Sequence, residues 1–297
     1  MAEFDAYLMV DWSAESRPKT GPDSIWYCLL DRNGPQLGNI STRAGAVRTL
    51  RDLLHAAVAR GGRVLAGFDF PFGYPAGFAR TLGLRAAPPW RAVWEEIARL
   101  IEDGEDNRNN RFEVAAALNR RISGGPFPFW GCPRRQVSNV LSMTKPAGYS
   151  GRLAEYRLAD RATAGPQPVW KLCYAGSAGS QALVGIPCLL RLRDDPLLAP
   201  VSRVWPFETG FRPPRRRGAL IAYAEIYPSM VKAPPDAGLP KDAAQVLAAA
   251  RWFAEADARG RVAAAFRPPV PPAARMSAAG EEGWILGTGI GAFPKRS

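Results

Sequence analysis

Three short apolar runs in this chain carry a carboxylate at or near their ends, and this most constrains what the chain can fold into. "YLMVDWS" passes from Tyr7–Val10 into Asp11, "RVLAGFDF" (Arg63 to Phe70) holds Asp69, and "ALIAYAEIYPS" (Ala219 to Ser229) holds Glu225. A fourth acid, Asp242, stands in the first turn of a helical pattern, "KDAAQVLAAARWFAEAD" (Lys241 to Asp257). Carboxylates are costly inside a core unless they are paired or bind a cation. If the strands are neighbours, their acids meet at one edge of a sheet, and a helix packed on that sheet adds Asp242. Such a cluster repels itself, and Mg2+ or Mn2+, which prefer oxygen donors, would relieve it. Each acid also has a local explanation. Asp11 before Ser13 fits an Asx turn, Asp69 fits a bend before Pro71, Glu225 fits a pair with a nearby Arg, and Asp242 fits the helix macrodipole.

The pattern around these acids reads as α/β. Tyr7–Val10, Ser24–Asp31 and Leu37–Ser41 form a meander with a turn at Asn33-Gly34-Pro35. The segment from Ala46 to Gly62 has helical spacing of Val47, Leu50, Leu54 and Val58 and stops at Gly-Gly. Arg63–Phe70 follows as a buried strand. From Gly73 to Arg217 the pattern changes: helices over Trp90–Glu102 and Arg111–Arg121 alternate with Gly- and Pro-rich loops. We read residues 73–217 as an insertion or lid within a single domain spanning 1–297, because loops tend to carry binding groups. A last apolar run, Glu281–Gly289, closes the regular part.

With 297 residues, 47% of them hydrophobic, the chain can bury one large core. A net charge of +12 favours anionic partners such as nucleic acid, nucleotides or other phosphates. The four Cys (28, 132, 173, 188) form no C-x-x-C pair and His55 is the single His, which argues against zinc and haem sites and for reduced, mostly buried thiols. The N-terminus lacks the basic-then-apolar order of a signal peptide and no run is long enough to span a bilayer, so the expected location is cytoplasmic.

Several groups in the middle region are candidates for substrate contact. Asn110, Arg111, Asn119 and Arg120 recur along one helix pattern, and Arg134 follows in a loop with Phe129 and Trp130. They suit phosphate contact with an aromatic stacking on a base, and equally suit surface ion pairs and loop packing. "YAGSAGSQALVGIP" lacks the P-loop pattern. Its Gly176 and Gly179 suit close packing at a helix start, where Ser177 and Gln181 could meet an anion. "RPPRRR" (Arg212 to Arg217) reads as a solvated linker and Tyr74 as a core residue.

The stretches "VDWSAES", "GFDFPFGYP", "AEIYPSM", "KDAAQVLAAA" and "EEGWILG", in this order over Tyr7–Gly287, resemble the domain-of-unknown-function 429 family, predicted nucleases of the RNase H-like superfamily. The resemblance implies an RNase H-like mixed five-stranded sheet with helices on both sides and an acidic site at one edge. Asp11, Asp69, Glu225 and Asp242 match the family's acids. Gln245 stands where many relatives have a second helical Asp. The middle region, through "NNRFEVAAALNRR", "GPFPFWG", "WKLCYAGSAGSQALVGIP" and "VWPFETG", resembles a subgroup linked to molybdopterin guanine dinucleotide synthesis, which no residue here supports independently.

The expectation is therefore a divalent-metal-dependent phosphoester hydrolase, nuclease or phosphodiesterase, acting on nucleic acid or a nucleotide-containing substrate. Asp11, Asp69, Glu225 and Asp242 would hold Mg2+ or Mn2+, and an activated water would attack phosphorus. The rival is a non-catalytic nucleotide- or nucleic-acid-binding module on the same fold. An actin-like phosphotransferase ranks last, because "DWSAESRPKTGPDS" lacks a Gly-rich phosphate loop.

Overall fold

A computed structural model describes residues 2–86, 88–149, 151–174, 176–231 and 238–288. The chain forms β1 (Ala6–Asp11), β2 (Ile25–Asp31), β3 (Gly34–Ile40), α1 (Arg43–Ala59) and β4 (Arg63–Phe68). It continues through α2 (Phe78–Thr81), α3 (Pro89–Leu100), α4 (Arg111–Ile122), α5 (Leu158–Ala162) and α6 (Ala178–Arg193). It closes on β5 (Ser202–Val204), β6 (Leu220–Glu225) and α7 (Lys241–Ala258). The result is an α/β fold whose mixed six-stranded sheet has the order β3-β2-β1-β4-β6-β5. Only β2 runs against the others: it pairs antiparallel with β1 and β3, whereas β1–β4, β4–β6 and β5–β6 are parallel.

Five strands were expected and six are present. The additional one, Ser202–Val204, has three residues and lies inside the 73–217 segment, too short to show a period of two. It pairs with Ile221–Tyr223 of β6 and becomes the sheet edge. At the other edge β3 begins at Gly34, earlier than expected, because the turn is Arg32-Asn33 and Gly34 (φ +99°) already pairs with Asp31. An edge strand tolerates Pro35, whose missing N–H costs no central ladder bond. Helix α1 starts at Arg43, with Thr42 Oγ1 accepting from the Gly45 N–H at 3.1 Å. Of the closing run, Trp284–Leu286 is buried and Ile285 bridges Glu225, while Gly289 lies outside the described residues.

Strand alternation sorts the sheet into two cores. Leu8, Val10, Ala66, Phe68, Ile221 and Tyr223 face a core shared with α1, α3, α4 and α6. Tyr7, Met9, Leu65, Ala222 and Ala224 face a second core, which α7 covers with Val246, Ala250 and Phe253. Burial of this kind stabilises by about 25 cal/mol per Å2 of apolar surface and fixes the register, because a one-residue slip would exchange the two faces. Among the described residues, no helix is long and apolar enough to cross a membrane.

Candidate acidic cleft

Asp11 and Asp69 follow directly from this register. Val10 pairs with Phe68 in the parallel β1–β4 ladder, so the next residues, Asp11 and Asp69, leave adjacent strands at the same level. By alternation both continue the face of Met9 and Gly67, which α7 covers. The Asp69 carboxylate accepts the Trp12 N–H at 2.7 Å, and its charge bears on Asp11. Burial, followed by the charge of Asp69, pushes Asp11 up to about 10. Burial also raises Asp69, to about 6, against the pull of the Trp12 N–H. Asp242, in the first turn of α7, acts electrostatically on both. Its Oδ2 accepts the Asp23 N–H at 2.7 Å, which ties the loop after β1 to the start of α7. Three of the four expected acids are thus brought together.

Glu225 stands apart from Asp11 and Asp242, although it lines a smaller recess with Asp69, Arg157 and Asp160. It pairs in register with Phe68, one position before Asp69, so its side chain leaves on the opposite face of the sheet. There Arg157 takes both carboxylate oxygens, Nη2–Oε1 at 2.6 Å and Nη1–Oε2 at 2.7 Å, and the Phe72 N–H adds a bond at 3.0 Å. Glu225 is 3% exposed. Its expected place as a cation ligand is corrected on this ground: every oxygen is already engaged by an interior cation. Gln245 turns to Ser229 at 3.4 Å rather than to the acids.

Asp11 and Asp242 line an open cleft of about 570 Å3. Of the eight candidate substrate residues, Arg111, Ser177 and Gln181 line it too. Gln181 donates to the Trp12 carbonyl at 2.7 Å. Helix α6 reaches the cleft because its start packs too closely for a side chain at two positions. A Cβ on Gly179 would stand 2.5 Å from the Val169 carbonyl oxygen, and one on Gly176 (φ +73°) 2.5 Å from the Gln167 chain.

The other five are corrected to structural or surface roles. Asn119 is fully buried and bonds the backbone of Phe129 and Val140. Asn110 ties Leu100 and Glu102 to the start of α4. Arg120 and Arg134 are exposed outside the cleft lining. Trp130 is built into a backbone bridge with Lys171 and packs against the core. Helical spacing had grouped Asn110, Arg111, Asn119 and Arg120, but only Arg111 points to the cleft. The reading also missed Asp23, Arg157 and Tyr174. "YRLAD" carried the i,i+3 Arg–Asp signature of Arg157 and Asp160, while nothing local marked Asp23 or Tyr174.

Tyr74 is a core residue, stacked on Phe78 at 4.5 Å. Cys28, Cys132 and Cys188 are buried, Cys173 is partly so, and all four are free.

The donor set suits a hard divalent cation in kind: it consists of oxygen atoms, and its two central carboxyls are raised by burial, which a cation would offset. Among the described residues no three His, Cys, Asp or Glu side chains form a ready-made metal group. Mg2+, however, is commonly held by one or two carboxylates, with water and substrate phosphate completing the shell. Comparison of the chain with family models, with curated proteins and with solved structures finds no match.

Proposed function

We propose that the chain is a divalent-cation-dependent phosphoester hydrolase of RNase H-like architecture, acting on nucleic acid or a nucleotide-containing molecule. The observation that carries this is the Asp11–Asp69 pair, held side by side by parallel register, of which Asp11 opens, with Asp242, on a cleft that also contains a guanidinium. The mixed sheet with helices on both faces agrees with the fold that the sequence resemblance implies. Asp11 and Asp69 would hold Mg2+ or Mn2+, with Asp242 beside Asp11 on the cleft to support it. When bound, the cation supplies Lewis-acid activation of water and of a phosphoryl oxygen. The protein's own groups then do the positioning. Trp12 N–H orients Asp69, Asp23 N–H orients Asp242, and Arg111 receives negative charge in the cleft.

The test is cleavage of RNA, DNA and hybrid substrates, and of nucleotide phosphodiesters, with Mg2+ or Mn2+. Activity lost in Asp11→Asn and Asp69→Asn supports the proposal, and activity no greater than in those variants sinks it. A binding module without hydrolysis is the second reading, favoured by Glu225 being committed to Arg157. It predicts ligand binding in EDTA and no turnover.

A further inference from the structure

Arg111 is unlike the other deep guanidinium groups in the molecule. Arg43 and Arg157 each grip a carboxylate with two nitrogens. Arg111 meets only neutral acceptors: Nε donates to Ser180 Oγ at 2.9 Å, and Nη1 donates to Ser16 Oγ at 2.8 Å and Asn109 Oδ1 at 2.9 Å. Its plane lies over Phe112, 4.5 Å from the ring centre. Among the described residues no carboxylate comes within ion-pair distance of it, and Nη2 makes no hydrogen bond. Burial, and then the charge of Arg43, lowers it to about 10. A guanidinium withdrawn from water without a carboxylate in contact is costly; Glu15 and Asp103 act on this one only at longer range, and three bonds aim it into an open cleft. Ser180 is itself held by donating to the Leu172 carbonyl, so the acceptor that fixes Nε is fixed in turn.

A second feature shares the cleft. Tyr174 is 62% exposed on its lining, and its backbone has φ +67°. A bulky side chain in the left-handed region is strained, and strain of this kind concentrates at ligand sites. Here it presents an aromatic ring to solvent in the cleft that Arg111 also lines. Trp12, 1% exposed and also on the lining, leaves Nε1 without a partner. A cleft of about 570 Å3 suits a ligand of nucleotide size.

We infer that this cleft is a nucleotide pocket, in which Arg111 receives a phosphate and Tyr174 stacks on the base. The inference rests on the proposed phosphoester chemistry for its direction, since it places the phosphate beside the acids, but binding does not need the cation. A free nucleotide and one unit of a single strand offer the same chemistry, and stacking on an aromatic tolerates any base.

The experiment is calorimetry in EDTA, where hydrolysis cannot contribute. The probes are adenosine 5′-monophosphate, inorganic phosphate and a short single-stranded oligonucleotide, titrated into the full chain. Tyr174→Ala is expected to weaken the nucleotide about tenfold and to leave inorganic phosphate unchanged, while Tyr174→Phe binds as the parent does. Arg111→Lys, which keeps the charge and loses the fork, is expected to weaken nucleotide and phosphate alike by about tenfold, with an unchanged circular dichroism spectrum. Tighter binding of the oligonucleotide than of the mononucleotide identifies a strand as the source, and the reverse identifies a free nucleotide. The inference is overturned if the parent protein binds neither nucleotide nor oligonucleotide, or if either Tyr174→Ala or Arg111→Lys binds the nucleotide as the parent does. Loss of metal-dependent cleavage with intact binding in EDTA would instead count against the hydrolase proposal alone.

Discussion

Arg157 closes both oxygens of Glu225, at 2.6 and 2.7 Å, and with the same guanidinium holds Asp160 at 2.7 Å. All three side chains are almost fully buried. The network pins the segment around α5 to the end of β6, and Arg157 also reaches the Glu282 carbonyl, drawing in the chain near the C-terminal end. Removing the cation would leave two interior carboxylates with only a backbone N–H each, from Phe72 and from residue 157 itself, and no counter-charge. Arg157→Met is therefore expected to lower unfolding free energy by about 3–5 kcal/mol, measured by urea denaturation. Adding Glu225→Gln to that variant should recover part of the loss, since one stranded charge is gone. A loss under about 1 kcal/mol would show that the carboxylates reach water.

The same geometry separates two possible ligand sets. If Asp11, Asp69 and Asp242 face the cation and Glu225 does not, then Asp11→Asn and Asp69→Asn should each weaken Mn2+ by about tenfold or more. Glu225→Gln should leave the affinity within about threefold although it costs stability. Calorimetric titration with Mn2+ reads both. Equal losses at Glu225 and Asp11 would mean that Arg157 yields Glu225 to the metal.

What the sequence revealed and what it concealed divide along the sheet register. Apolar runs, helical spacing and the Gly-Gly stop marked β1, β2, β4, β6, α1 and α7 because each rule is local, whereas the Thr42 start of α1 was not read. The strand-end acids were legible for the same reason. That Glu225 leaves on the other face was not: it depends on Glu225 pairing with Phe68 rather than Asp69, a one-residue offset between strands about 155 residues apart in sequence. Arg157 was hidden likewise, since its partner on β6 is 68 residues away. Arg111 was found and its helix neighbours Asn119 and Arg120 were wrongly grouped with it, because spacing identifies a helix face without saying what that face meets. The three-residue β5 had no pattern to read.

The raised carboxyls of Asp11 and Asp69 give the metal-free protein an unusual pH dependence. A carboxyl raised in the folded state binds its proton more tightly there than in the unfolded chain. Its contribution to stability is full below the ordinary aspartate value of 3.8 and is lost as pH rises towards its folded value, about 10 for Asp11. The carboxyls lowered by ion pairs, Glu96, Asp194 and Asp195, act with the opposite sign at acid pH, while Glu225 and Glu282 are also raised, so the pair is read from the difference that a bound cation makes. A bound cation replaces the proton. The rise in Tm on adding Mn2+ should therefore be larger at about pH 8.5 than at about pH 6, by scanning calorimetry in each buffer. A Tm shift independent of pH would mean that no proton leaves the pair on binding.

Arg43 holds the wall of the cleft from behind. It is fully buried. Nε and Nη2 grip Asp103 at 2.6 Å each, Nη1 donates to the Ser13 and Glu15 carbonyls at 3.1 and 2.7 Å, and Nη2 also reaches the Asn107 carbonyl at 2.8 Å. The loop that follows Asp11 is thus shaped by a side chain from the first turn of α1. Lysine has the charge but not the planar fork, and one ammonium cannot serve the carboxylate and the three carbonyls together. Arg43→Lys is expected to cost about 2–4 kcal/mol. More tellingly, it should speed amide exchange in the peptide covering Trp12–Arg17 while leaving exchange in α7 near the parent rate. Hydrogen-exchange mass spectrometry distinguishes this local loosening from a global loss of stability, which would accelerate every protected segment. If the loop peptide keeps its protection, the Ser13 and Glu15 carbonyls are held by something other than Arg43, and the cleft wall is more self-supporting than these bonds imply.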